Sequence, residues 1–402
     1  MSLITATWGR IAAPERRPIG IACGAHMLHD GYTDLLYVLL PLWQAEFGLG
    51  YAEIGLLRAL YTGSMATFQV PAGALAGRIG GPLLLGLGTA LVGVGYLAAG
   101  ASAGFMMLSG ALVLAGIGAS VQHPIAANLV AQAAPGRRSR AALAGYNFSG
   151  DLGKMAMPAA TAGLITMMPW RSATTVLGLG ALAAAAVILM VRGLPGGAAR
   201  PADGEARAAA LPQAAPAGRG FPLLLAIAMI DSATRMGFLT FLPFLLKAKG
   251  ADLPMIGSAL TLVFAGGAAG KLVCGWLGAR IGVVKAVFVT EGLTAAGILA
   301  LIPLPLAAGL AVLPLIGVAL NGTSSVLYGT VPELVAPEKR QRAFSIFYTG
   351  AIGAGALSPV LYGLVSDLID VPVMMALIAA VVLVTLPLTW QLRPALRAIA
   401  AS

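Results

Sequence analysis

Apolar positions gather along the chain into twelve long blocks separated by short polar breaks. The blocks span about 19–44, 52–77, 82–101, 104–131, 142–168, 171–192, 221–246, 253–278, 284–304, 307–332, 343–368 and 371–392. Each reaches the ~20 residues a helix needs to cross a bilayer. The pattern predicts an all-α membrane protein of twelve transmembrane helices. One break differs from the rest. Residues 194–220 carry Pro195, Pro201, Pro212 and Pro216, five glycines and charges of both signs. Such a stretch reads as a linker. It divides the chain into a six-helix bundle at 1–193 and a second at 221–402.

Composition agrees with lipid as the main solvent. Hydrophobic residues make up 58% of the chain and charged residues only 10%, against about 25% charged in a soluble domain. Mean hydropathy is +0.89. The 53 glycines suit close helix–helix packing in membranes. Cys23 and Cys274 both fall in apolar blocks, which gives no disulfide framework and no zinc site. Basic residues at Arg10, Arg16 and Arg17 precede a first block too long for a signal-peptide core, so it reads as the first span.

A net charge of +10 raises the question of nucleic acid, and its distribution answers it. Numbering the breaks alternately puts 18 of the 25 basic residues on one side, among them Arg78, Arg137, Arg138, Arg140, Arg280, Lys285, Lys339, Arg340, Arg342, Arg393 and Arg397. The other side has Arg171, Lys247 and Lys249. By the positive-inside rule both termini and the linker are expected in the cytoplasm of a cell (inner) membrane protein. The basic excess is then a topology signal with some attraction to membrane lipid, and no nucleic-acid partner is expected.

The halves repeat at a constant offset of 202 residues. Pro41 pairs with Pro243, and Ile54-Gly55 with Ile256-Gly257. Gly73, Leu75, Arg78 and Gly80 pair with Gly275, Leu277, Arg280 and Gly282. Pro135, Arg138, Arg140, Tyr146 and Gly153 pair with Pro337, Arg340, Arg342, Tyr348 and Gly355. An ungapped series of this length marks an internal repeat. Six helices per half make it a parallel repeat about an axis along the membrane normal.

These residues carry a family resemblance. Gly73-Ala-Leu-Ala-Gly77-Arg78-Ile-Gly80 resembles the loop signature of the major facilitator superfamily. Four stretches are similar to the fosmidomycin-resistance exporters: His26-Met-Leu-His29-Asp30, Pro41-Leu-Trp-Gln-Ala-Glu46-Phe47, Gly116-Ile-Gly-Ala-Ser-Val-Gln-His123-Pro124, and Gly150-Asp-Leu-Gly153 with Pro158. The resemblance covers nearly the whole chain. It implies the two-bundle fold, antiport of protons against small anionic compounds such as phosphonates, and a role in drug resistance. The sequence departs from the pattern at Gly77 and Ala279, where the signature has an acid, and at Gly81-Pro82, where it has a basic pair. Met157 replaces the usual glycine before Pro158.

Ionisable groups at membrane depth cost several kcal/mol unless paired or hydrated, so each is a candidate. His26, Asp30 and Asp34 share a stripe on the first helix by their i, i+4, i+8 spacing. With His123 on the fourth helix they are the candidate proton-coupling residues. The alternative gives Asp30 a packing role with His123 as partner. A metal site from His26, His29, Asp30 and His123 has usable spacing, but nothing completes a closed set, so no metal is expected. Arg58, Lys154 and Arg235 are candidate ligands for a substrate anion, with Asp151 and Asp231 one turn away to hold the cations when the site is empty. Asp151–Lys154 and Asp231–Arg235 read equally well as local pairs. Tyr61 and Tyr146 are candidate cavity linings, with Tyr32, Tyr37, Phe68, Phe148, Phe238, Phe241 and Tyr348 as weaker ones. Lys271 and Glu291 read as a mutual structural pair.

No phosphate-cradling Walker loop occurs, and no nucleophile–base constellation occurs in a soluble segment. The chain therefore reads as a secondary transporter rather than an enzyme, working as a monomer without a cofactor, with a small-molecule substrate and protons as partners. Its substrate site is expected near the midplane between the halves. The first reading is proton-coupled efflux of a small anionic or amphiphilic compound. The alternatives are an uptake symporter for an organic anion and, in another class, a membrane enzyme or non-transporting receptor.

Overall fold

The computed structural model describes residues 13–134, 137–191, 194, 219–336 and 339–400. Most of the expected linker, 195–218, lies outside these residues, as do Arg10, Pro135, Arg192 and Pro337. The described chain is helical. In the first half the helices are α1 (Ala13–Asp34), α2 (Leu36–Phe47), α3 (Tyr51–Ile79), α4 (Gly81–Gly100), α5 (Phe105–Ala119), α6 (Gln122–Ala133), α7 (Arg137–Met167) and α8 (Trp170–Met190). The second half holds α9 (Gly220–Ala248), α10 (Leu253–Ile281), α11 (Val283–Leu301), α12 (Leu306–Leu334), α13 (Arg340–Ser366), α14 (Val371–Leu383) and α15 (Thr385–Ala400).

Twelve spans result, three of them broken. The first breaks at Leu35, the fourth at Ser120 and Val121, and the twelfth at Val384. Each was expected as one continuous helix. Proline accounts for the latter two breaks. Pro124 has no N–H to reach the Ser120 carbonyl, and Pro387 has none for Leu383. The backbone slackens where that bond is missing.

Nine spans among the described residues are long and apolar enough to cross a membrane by length and composition. The other three are α1/α2, α3 and α7. They carry Asp30, Asp34, Arg58, Asp151 and Lys154, so the polar candidates themselves lower the hydropathy of these helices.

The chain groups into two compact units, one of residues 1–48 and 57–202, the other of 49–56 and 203–402. In the first, α1 packs on α7 and α6, and α4 lies against α8 and α5. One of its apolar clusters includes Ile19, Leu85, Ile125, Leu129 and Tyr146. In the second, α9 packs on α13, and α10 and α11 both pack on α12. Leu224, Ile227, Val287, Leu327, Val331 and Leu392 form its core.

The repeat is visible in three dimensions. Tyr51–Ile79 and Leu253–Ile281 are each 29 residues long and offset by 202 at both ends. A Cβ on Gly116 would collide with the Tyr61 carbonyl, and one on Gly317 with the Val263 carbonyl. Tyr61 and Val263 are themselves 202 apart. The same close helix contact is thus built twice, once in each unit, because glycine lets the backbones meet.

Candidate functional site

In the first unit, glycines set the geometry. A Cβ on Gly153 would strike the Met27 carbonyl, and a Cβ on Gly31 the Met157 side chain. Without those atoms α7 seats directly on α1. Met157, the departure from the glycine of the resembled motif, fills the space over Gly31. The close approach brings Lys154 against Asp30, with Nζ 3.3 Å from Oδ2. Lys154 is therefore paired across helices with Asp30. Asp151, buried one turn away, acts electrostatically on the same ammonium.

Asp30 is a hub. Its Oδ2 lies 3.2 Å from His26 Nε2 and its Oδ1 3.9 Å from His123 Nε2. Gly150 makes room for this cluster, since a Cβ there would sit 2.6 Å from His26 Nε2 and 2.7 Å from Asp30 Oδ2. His26 stacks on Tyr146 with centroids 4.1 Å apart. Its Nδ1 is 2.8 Å from the Tyr146 carbonyl. A carbonyl only accepts, so Nδ1 carries the hydrogen. Nε2 can then bond to Asp30 only if the pair holds one further proton. The Tyr146 hydroxyl in turn accepts from Gln122 Nε2 at 2.8 Å.

His29 points elsewhere. Its Nε2 is 2.9 Å from Thr89 Oγ1. That hydroxyl already donates to the Leu85 carbonyl, so His29 donates to it. Ligand atoms of His26, Asp30 and His123 come within 4.8 Å of one another, the beginning of a metal-ligand set. Lys154, on the same carboxylate, supplies the positive charge a metal would bring.

Asp34 belongs to a different cluster. Its Oδ1 is 3.5 Å from Arg58 Nη2, which also donates to the Tyr37 hydroxyl at 3.0 Å. The guanidinium lies 4.6 Å from the Tyr37 ring centroid. Arg58 is 1% exposed, so this candidate substrate ligand is buried. Tyr61, also buried, has its hydroxyl 3.2 Å from Thr33 Oγ1. Asp30 and Asp34 share the expected stripe on α1, and the ion pair of Asp34 is with Arg58 while those of Asp30 are with Lys154, His26 and His123. Of the weaker aromatic candidates, Tyr32, Tyr37, Phe238 and Phe241 are buried, whereas Phe68, Phe148 and Tyr348 are exposed.

The second unit has its own polar core. Asp231 of α9 and Glu291 of α11 are both buried and act on each other through their carboxyl groups. Arg235, one turn along α9, acts electrostatically on both, and its Nη1 lies 3.4 Å from Ser324 Oγ. Glu291 Oε1 has no hydrogen-bond partner. Glu291 therefore faces Asp231, where Lys271 was expected, while Lys271 is exposed on α10. Sequence spacing overlooked this pair because its members are 60 residues apart. The repeat could have found it, since an offset of 202 maps His29–Thr89, bonded in the first unit, onto Asp231–Glu291.

Comparison with known proteins fits these observations. The sequence model described as Major Facilitator Superfamily matches residues 22–227 and 223–400. A stretch of 142 residues is 30% identical to the fosmidomycin resistance protein of Escherichia coli (strain K12), covering 34% of each chain. Another, of 138 residues, is 26% identical to an uncharacterized MFS-type transporter of Mycobacterium tuberculosis, covering 34% of this chain and 24% of that one. The chain thus spans about a third and a quarter of the lengths of these curated relatives. The fold is similar to a bacterial homologue of the human lysosomal transporter Spinster, with TM-score 0.79, 15% identity and coverage of 96% and 99%. It is also similar to a nucleoside transporter, with TM-score 0.76, 12% identity and coverage of 94% and 99%.

Proposed function

The chain belongs to the Major Facilitator Superfamily, and we propose that it is a proton-coupled secondary transporter of a small organic anion or anionic amphiphile. Membership makes it a multi-pass membrane protein with a small-molecule substrate. What carries the finer reading is Asp30, whose one carboxylate meets Lys154, His26 and His123. An incoming anion competes with Asp30 for the Lys154 ammonium, whose side chain is 31% exposed. The released carboxylate is then neutralised by the proton that the His26–Asp30 bond requires. Anion and proton binding are linked through a single ion pair. Arg235, half-buried beside Asp231, is the candidate anion contact of the second unit. Arg58 with Asp34, and Tyr61 and Tyr146 around the two clusters, hold this machinery in place.

The Escherichia coli relative is named for fosmidomycin resistance, which supports a role in drug resistance; efflux by antiport across an inner membrane is the first reading of that role. A specific observation favours a second reading, uptake by symport. Protonating Asp30 frees Lys154, so a proton helps an anion bind, whereas antiport needs the two to compete. The sign of the pH effect separates them. With fosmidomycin as probe and purified protein, apparent affinity that rises as pH falls supports symport, and affinity that falls supports antiport. Under either reading Asp30→Asn abolishes proton-driven flux in proteoliposomes while the protein stays folded. Full pH-driven flux in both Asp30→Asn and Asp34→Asn would remove the proton assignment.

A further inference from the structure

Away from these clusters, the second unit contains a cleft of about 810 Å³ bordered by the C-terminal end of α10, the start of α11, the end of α12 and α15. Its chemistry is graded. Lys285, Arg393 and Arg397 line it toward the ends of their helices. One turn deeper along α11 lie Phe288 and Val289, and one turn deeper along α15 lies Trp390. α11 runs inward from this end and α15 runs outward, so both walls change from cationic to apolar in the same direction. Phe288 and Trp390 meet edge to face, with centroids 6.4 Å apart. The Arg393 guanidinium lies 4.9 Å from the Trp390 ring centroid, a stacked pose that leaves its N–H edge free for a planar oxyanion. Glu333 is the one carboxylate on the lining, so cations outnumber it three to one. Among the described residues no ion pair engages any of these four side chains.

We propose that this cleft binds an anionic glycerophospholipid, with the phosphate held by Lys285, Arg393 and Arg397 and an acyl chain laid along Phe288, Val289 and Trp390. A soluble anion would use the cationic rim but gain nothing from the apolar wall beneath it. Val289 and Trp390, 43% and 59% exposed, lie on a membrane-spanning unit, where lipid is the available cover. The order of charge and grease along the cleft matches headgroup above chain.

The test is native mass spectrometry of the full chain with phosphatidylglycerol and phosphatidylcholine of identical acyl chains, supplied in equal amounts. The wild type should retain phosphatidylglycerol in preference. That preference should drop about fivefold for each cation removed, as expected for a phosphate near a lysine or arginine at a membrane surface. Arg393→Gln with Arg397→Gln is the main variant. Arg393→Lys with Arg397→Lys should keep most of the preference and guards against misfolding. Trp390→Ala should weaken retention of both lipids. Arg17→Gln with Arg219→Gln, exposed cations outside the cleft, should change nothing. Equal retention of the two lipids by the wild type overturns the proposal. So does loss of preference in the Arg17/Arg219 variant to the same extent, which would mean general attraction. Full displacement of phosphatidylglycerol by millimolar inorganic phosphate would assign the cleft to free phosphate and overturn it too.

Discussion

Lys154 lies about a dozen residues into its apolar block, or roughly 18 Å at 1.5 Å per residue, and its ammonium is spent on Asp30. Removing one member of such a pair leaves the other uncompensated. Lys154→Ala should therefore cut transport by about tenfold or more, the loss of one charged hydrogen bond. The control is Asp30→Asn with Lys154→Gln, which neutralises both and keeps their polar contact. Proton-driven flux is lost in this variant with Asp30, so the readout is binding of fosmidomycin to purified protein alongside thermal unfolding in detergent. If Lys154 serves only to pair with Asp30, the double variant binds as the wild type does; if it contacts substrate, binding is lost while folding is kept. The residue types were legible in the sequence, because a charge in an apolar block stands out. Their partners were not. Lys154 and Asp151 are one turn apart and invite a local pair, and helix packing adds Asp30 of α1, which spacing alone does not supply. Glu291 was matched with Lys271 by depth alone, and depth says nothing about which face of a helix a side chain occupies.

At the scale of elements, the blocks of apolar residues set the number of spans and most of their ends, because a bilayer requires satisfied backbone and a minimum length. The break before Pro124 was readable in principle from the missing N–H. The break at Leu35 has no such marker. The closeness of α1 and α7 was also hidden, since a glycine in a sequence does not reveal what it approaches. Gly153 and Gly31 now supply the reason that Asp30 and Lys154 meet. Gly153→Val should destabilise the protein by about 1–3 kcal/mol, the usual cost of overpacking, and should abolish transport by parting the helices. Gly163 lies on the same helix, and a methyl group added there would meet nothing within 4 Å. Gly163→Ala should be neutral or stabilising by up to about 1 kcal/mol through helix propensity. Thermal unfolding of both variants in one detergent measures the contrast. Equal effects would mean that glycine content, and not this contact, governs the packing.

Over the whole molecule, duplication and topology constrain one another. Corresponding helices recur at an offset of 202 residues, so each unit inherits six spans and its chain returns to the side on which it entered. Divergence within that frame is specific: where the first unit holds His29 on Thr89, the second holds Asp231 on Glu291, and Arg58 and Lys154 have apolar counterparts at Leu260 and Ala356. The repeat predicts that both termini share a side with the 194–220 segment. The basic residues predict that this side is the cytoplasm, since 18 of 25 fall on it when the breaks are numbered alternately and short basic loops are retained in the cytoplasm. The opposite ends can be sampled at Leu368, 84% exposed beyond the end of α13. Leu368 is preferable to its neighbour Asp367, whose carboxylate accepts the Tyr51 and Ala52 backbone N–H groups and should be left intact. In a background with Cys23→Ala and Cys274→Ala, a cysteine at Ala202 should react with a membrane-impermeant maleimide only in inside-out vesicles. A cysteine at Leu368 should react only in intact cells. Labelling of both from the same side would break the link between the repeat, the even number of spans in each unit and the asymmetry of charge.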